Sequence, residues 1–173
     1  MKALAFWKAT VADKSDFLES VVSTLREHDI RFCVIGGQAV NAYVEPVVSL
    51  DLDIIIALDQ IKAVEALFSR SYKVETFPHS INVSDPGSDL RVQIQTDPRY
   101  FDFLNRATEQ DVLGVKLPVA DVADVLQGKI WAASDPTRRA SKRLKDLSDI
   151  ARIIELRPDL MERVPPDLRE RLQ

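Results

Sequence analysis

One cysteine, two histidines and five glycines are all that 173 residues supply of three residue types on which many active sites are built. Cys33 alone cannot close an internal disulfide, and one thiol with His28 and His79 makes no zinc cluster. Its setting, Phe32-Cys33-Val34-Ile35, is that of a buried, inert thiol rather than a reactive one. No apolar run approaches the roughly 18 residues of a membrane span. The one apolar stretch near the N-terminus, Ala3 to Trp7, is interrupted by Lys8 and is too short for a secretory core. The expectation is a reducing, cytoplasmic setting. Positive charge is not in surplus either. With 23 Lys and Arg against 27 Asp and Glu the net charge is −4, so the surface as a whole offers no field for non-specific nucleic-acid binding. A local basic patch stays open. Ser-His-Asp orders, P-loops, dinucleotide fingerprints and internal repeats are absent.

What is present suits an ordinary globular chain. At 46% hydrophobic and 29% charged, it can bury a core without disulfide or structural metal. Apolar spacing predicts a helix over Lys14 to His28, a buried strand over Arg31 to Ile35, and a short helix from Gln38 to Tyr43. A β-branched strand over Leu50 to Leu58 and a helix over Gln60 to Ser71 follow. The middle reads as strands, Tyr72 to Phe77, Ser80 to Val83, Leu90 to Thr96 and Val112 to Leu117, punctuated by Pro78, Asp85-Pro86-Gly87 and Asp97-Pro98. From Asp121 the period turns helical. The expected class is α+β: a mixed sheet flanked by helices over residues 1–120, then a helical part over 121–173, in one domain.

The stretch Val34 to Ile56 carries the chemistry. Gly36-Gly37, between a buried strand and a helix, lets bare backbone N–H groups face an anion at the helix N-terminus. In a strand, residues two apart share a face, so Asp51 and Asp53 project together while Leu52 and Ile54 point away. Two such carboxylates repel unless a cation lies between them. Mg²⁺ takes one or two carboxylates together with substrate phosphates. A phosphate cradle and a metal clamp about fifteen residues apart in sequence, each at a strand mouth, point to one site for a metal-bound triphosphate.

The segment VIGGQAVNAYVEPVVSLDLDIIIAL resembles the nucleotidyltransferase superfamily, in particular its bacterial branch of AbiEii-type toxins. Gly36, Gly37, Ala39, Ser49, Asp51 and Asp53 match that branch's Gly-Gly-x-Ala and Ser/Thr-x-Asp-x-Asp positions. In RRASKRLKDLSDIARII, Lys145, Asp146 and Asp149 match a Lys-Asp-x-x-Asp helix, with Lys129 on the helix before. The resemblance spans about residues 31 to 155. It implies Mg²⁺ (or Mn²⁺) on Asp51 and Asp53, and nucleoside-triphosphate binding by Gly36, Gly37, Gln38, Ser49, Lys129 and Lys145. A nucleoside monophosphate would pass to a hydroxyl of a tRNA, a protein or a small molecule, in a toxin with an antitoxin partner or another phage-defence role.

The chain departs from that pattern at two places. A later strand should bring a third carboxylate, yet Leu90 to Thr96 offers Gln93 or Gln95 on the relevant face, with Asp97 beyond. A glutamine can lend a metal its carbonyl oxygen, and so Gln93 stands as the candidate catalytic residue, but it cannot take a proton from an attacking hydroxyl. The connection YVEPVVS also lacks an arginine found in relatives. Two expectations follow, an enzyme or a weak or inactive relative that binds nucleotide or a partner protein. Arg138, Arg139, Lys142, Arg143 and Lys145 form either a solvated face or a basic lip for triphosphate or RNA. His79 is expected on a loop, and Trp7 and Trp131 in packing.

Overall fold

The computed structural model describes residues 15–172; Trp7, Lys8 and the first residue of the predicted opening helix lie outside them. Seven strands form one sheet in the order β3-β4-β5-β2-β1-β7-β6. Helix α1 (Ser15–Glu27) leads into β1 (Phe32–Ile35), which runs straight into α2 (Gly36–Tyr43). After an extended connection come β2 (Asp51–Ile56), α3 (Ile61–Phe68), the hairpin β3 (Lys73–Phe77) and β4 (Ser80–Ser84), and β5 (Arg91–Gln95). A 3₁₀ segment, Pro98–Arg106, precedes β6 (Thr108–Val112) and β7 (Val115–Val119). The C-terminal part is α4 (Val122–Ser134), α5 (Ala140–Leu156), a 3₁₀ piece over Pro158–Arg163 and α6 (Pro166–Glu170). Among the described residues no helix is long and apolar enough to cross a membrane.

The sheet is mixed, as expected: β1 pairs antiparallel with β2, while β2–β5 and β1–β7 are parallel. Alternation along β2 buries Leu52 and Ile54 and turns Asp51 and Asp53 to the other face. Val92 and Ile94 of β5, and Ile81 and Val83 of β4, continue the apolar face. The opposite face takes α2, α4 and α5, which pack on one another.

Two expectations changed. The single strand expected over Val112 to Leu117 is the tip of a hairpin, because Leu113 and Gly114 both adopt positive φ (56° and 84°) and join Val112 to Val115 in a two-residue turn. The glycines are also not a turn ahead of a helix: they are its first two residues. His79 sits in the β3–β4 turn, and Cys33 is fully buried, its thiol pushed up to about 12 by that burial.

Candidate active site

Antiparallel pairing of β1 with β2 sets the end of one strand against the start of the other, with Ile35 opposite Asp53. The next residue, Gly36, has φ +66°, and a Cβ there would lie 2.2 Å from Asp53 Oδ2. Glycine is therefore required twice, by the backbone and by the carboxylate packed against it. At Gly37 a Cβ would meet nothing nearer than Ser49 Oγ at 3.7 Å and Lys145 Nζ at 3.9 Å. No side chain caps α2, so its first-turn N–H groups are left for water or a ligand.

These groups line a cleft of about 220 Å³. Gly36, Gly37, Ser49, Asp51, Asp53, Gln93, Gln95, Lys129 and Lys145 all border it, together with Arg138 and Lys142. Gln38 and Ala39 of the same motif turn inward instead. The Gln38 side chain is buried and donates Nε2–H to the Ser49 carbonyl at 2.9 Å, which holds the chain entering β2. Asn41, one turn further along α2, brackets the same chain by donating Nδ2 to the Val47 carbonyl (2.7 Å) and accepting from the Val47 N–H (3.0 Å).

The two aspartates differ in their surroundings. Asp51 is 2.8 Å from Arg91 and 3.8 Å from Lys142. Asp53 makes no hydrogen bond or ion pair to a side chain among the described residues. Burial raises its carboxyl to about 6; Lys129 opposes the rise, and Asp51 adds to it. A carboxylate left without partners next to a second one fits a cation-binding pair. Among the described residues no cluster of three or more His, Cys, Asp or Glu could hold a metal by itself. A two-carboxylate clamp would leave its remaining positions to substrate oxygens.

Register decides between the glutamines. Gln93 on β5 lies opposite Asp53, whereas Gln95 lies opposite Ile55. Gln95 also accepts from the Asp97 N–H through Oε1 (3.0 Å). Asp97 caps the 3₁₀ segment and is forked by Arg99 at 2.8–3.2 Å, which holds its carboxyl below its usual range. Asp124, another acid at the cleft, is bound bidentately by Arg106 at 2.7 and 3.0 Å. No third carboxylate at the cleft is without a partner.

Lys129 is no surface lysine. It is buried, with Nζ 3.0 Å from Asp146 Oδ1 and 2.7 Å from Asp149 Oδ2, and those two charges keep it above its usual range although burial works the other way. Arg138 joins Asp146 at 2.6 Å and Arg152 joins Asp149 at 2.8 Å. Lys145 is the exposed cation beside Gly37. The sequence reading missed Tyr100 and Phe103, which also line the cleft. The signal was there, since Asp97-Pro98 is a cap followed by a helix-starting proline and places two aromatics three apart.

No protein-family model and no curated protein matches the chain. Solved structures do. The antibiotic-resistance factor ANT(2'')-Ia superposes with a TM-score of 0.64 at 13% identity, over 92% of this chain and 94% of its own. An antigenic nucleotidyltransferase-like protein from Paracoccidioides brasiliensis gives 0.57 at 18% identity, over 94% and 93%. The lincomycin-bound lincosamide antibiotic adenylyltransferase LnuA gives 0.53 at 13% identity, over 79% and 95%. The chain has the fold of the nucleotidyltransferases, with the glycine pair and the acidic pair in one cleft.

Proposed function

We propose that the chain is a Mg²⁺-dependent nucleotidyltransferase that passes a nucleoside monophosphate from a triphosphate to a hydroxyl. The observation that carries this reading is the Asp53 carboxylate, unpartnered beside Asp51 and packed against the first glycine of an uncapped helix. Asp51 and Asp53 would hold Mg²⁺ or Mn²⁺, which when bound neutralises charge on the phosphates and draws electrons from the reacting phosphorus. The N–H groups of Gly36, Gly37 and Gln38 and the Lys145 ammonium would take the β- and γ-phosphates. Lys142, 3.8 Å from Asp51, would turn to the phosphates once Asp51 is engaged. Ser49, fixed by Gln38, sets the start of the acidic strand. Lys129, buried at the cleft's edge, favours the ionised form of Asp53.

The acceptor oxygen would attack the α-phosphorus, pyrophosphate would leave, and the hydroxyl proton would go to water or to a substrate group. Gln93 cannot accept it. Losing a general base commonly costs about 10²–10⁴-fold in rate, so transfer should be slow. The same glutamine, opposite Asp53, favours the second reading, a module that binds nucleotide or a partner protein without turnover. The solved neighbours named for antibiotics make small-molecule hydroxyls the first acceptors to assay. The toxin-like motif residues Gly36, Gly37, Ala39, Ser49, Lys145, Asp146 and Asp149 support a tRNA or protein acceptor and an antitoxin partner as the next.

Calorimetric titration with Mg·ATP tests the site, and transfer of label from α-phosphate-labelled triphosphates to acceptor pools tests the activity. Binding that ignores Mg²⁺, or that survives Asp53→Asn at full strength, would overturn the proposal. Binding without transfer to any acceptor would select the second reading.

A further inference from the structure

Tyr100 is 8% exposed and its ring is fixed from several sides. Phe103 and Trp131 meet it edge-on at 5.4 and 5.1 Å between centroids, with tilts of 68° and 73°. Phe103 and Trp131 stack on each other at 5.8 Å, and the Arg99 guanidinium lies 4.8 Å over the Trp131 ring. Gly128 completes the setting: a Cβ there would come within 3.1 Å of Tyr100 Cε1. The ring therefore has one position.

Its hydroxyl makes no hydrogen bond to any described side chain or backbone group. The ring is buried but the hydroxyl is not closed off from solvent, and packing alone would be served by phenylalanine. Tyr100 borders the same cleft as Asp53, Gln95 and Arg138, and Asp53 and Arg138 both act on it electrostatically. Burial raises the phenol to about 12, so near neutral pH it is protonated and can donate. Arg138, whose side chain is 38% exposed, borders the same cleft. A fixed neutral donor beside a cation matches an anionic oxygen better than a sugar hydroxyl.

We propose that the Tyr100 hydroxyl is a substrate-binding group that donates a hydrogen bond to a non-bridging phosphate oxygen of the triphosphate. This rests on the nucleotide-binding reading of the cleft. The helix amides and Lys145 would share the triphosphate with Tyr100, which orients the phosphoryl group it binds.

The experiment titrates the full chain and its Tyr100→Phe variant with Mg·ATP and with Mg·tripolyphosphate, beside a thermal melt of each. The ring packing is kept, so the melting temperature should hold. A lost hydrogen bond to a charged group should weaken both ligands roughly 10- to 150-fold. Loss with ATP alone would put the hydrogen bond on the nucleoside and overturn the phosphate assignment. Equal affinities for both proteins would overturn the role of the phenol and leave the cleft's function standing. A native chain that binds neither ligand would instead overturn the nucleotide reading itself. Should Tyr100→Phe lose its fold, Gly128→Ala reads the same group by pressing on the ring edge; weaker binding of both ligands supports the assignment, and unchanged binding overturns it.

Discussion

The chain keeps two pairs of aspartates near its cleft and surrounds them in opposite ways. Asp146 and Asp149, one turn apart on α5, are 1% and 2% exposed and share Lys129, Arg138 and Arg152 at 2.6 to 3.0 Å. Their charge is answered from within the protein. Asp51 and Asp53, two apart on β2, have among the described residues only exposed Arg91 and half-exposed Lys142 between them, and both of those reach Asp51. The first pair joins α4 to α5 and, through Arg152 to Asn41 (3.2 Å), to α2. The second leaves Asp53 without such compensation, which the proposed cation would supply. A carboxylate marks a binding site where its compensation is missing, not where carboxylates are most numerous.

The largest effect should come from breaking the compensated pair. Lys129→Met leaves two buried carboxylates to two arginines, and removing one member of a buried ion network costs about 3–5 kcal/mol. Urea unfolding should show that loss with or without Mg²⁺. A variant as stable as the native chain would mean that the network is not a structural unit.

Next comes the glycine against which the open pair's Asp53 side chain packs. Gly36→Ala meets both a left-handed backbone, about 1–2 kcal/mol for an L-residue, and the Asp53 oxygen at 2.2 Å. A total of about 2–5 kcal/mol follows if overpacking adds its usual share, together with loss of Mg·ATP binding. Gly37→Ala has ordinary contacts of 3.7 Å or more and should stay folded, with weakened binding only. Equal behaviour of the two alanines would break the assignment of Gly36 as the carboxylate's seat.

The third effect has a sign set by pH. Asp53 titrates at about 6 when folded against 3.8 as a free carboxyl, so the folded chain holds that proton more tightly. This contributes stability that is complete below about pH 4 and is lost as pH rises through 6. The shift of about two units corresponds to roughly 3 kcal/mol at most. Asp53→Asn should therefore unfold later than the native chain at pH 7 without metal, and about equally at pH 4. Mg²⁺ should close the gap at pH 7 by stabilising the native chain alone. A native chain whose stability is flat from pH 4 to 7 and indifferent to Mg²⁺ would remove the cation site.

Much of this was legible in the sequence because it is local. The i, i+2 spacing placed Asp51 and Asp53 on one face, and the glycines marked the mouth of β1. Pairing and distance were not legible. Nothing in the spacing of Lys129 told that Asp146, 17 positions on, would bury it. Leu113-Gly114 was passed over as a turn because leucine rarely adopts positive φ. The choice between Gln93 and Gln95 needed the β2–β5 register, which period-two alternation leaves open by design.

The smallest change to stability bears most directly on function. Gln93→Asp would place a carboxylate on β5 opposite Asp53, in a row where Asn82 of β4 stands on the far side. Added repulsion should cost on the order of 1 kcal/mol without metal and be offset when Mg²⁺ is present. The new group could accept a proton from an acceptor hydroxyl, which the amide cannot. Release of labelled nucleoside monophosphate to acceptor or water should rise, by up to about 10²–10⁴-fold if the missing base alone limits the rate. The gain should need Mg²⁺ or Mn²⁺ and vanish when Asp51 is also replaced by Asn. Gln95→Asp is the matched control: it lies two residues further along the same face, opposite Ile55, and loses the bond to the Asp97 N–H. It should gain nothing. A native chain that already transfers quickly and slows with Gln93→Asp would show that the amide belongs to a working site and that the proton leaves by another route. Transfer restored at position 93 alone would show that the open pair on β2 lacks one charge, and that β5 is where the fold has room for it.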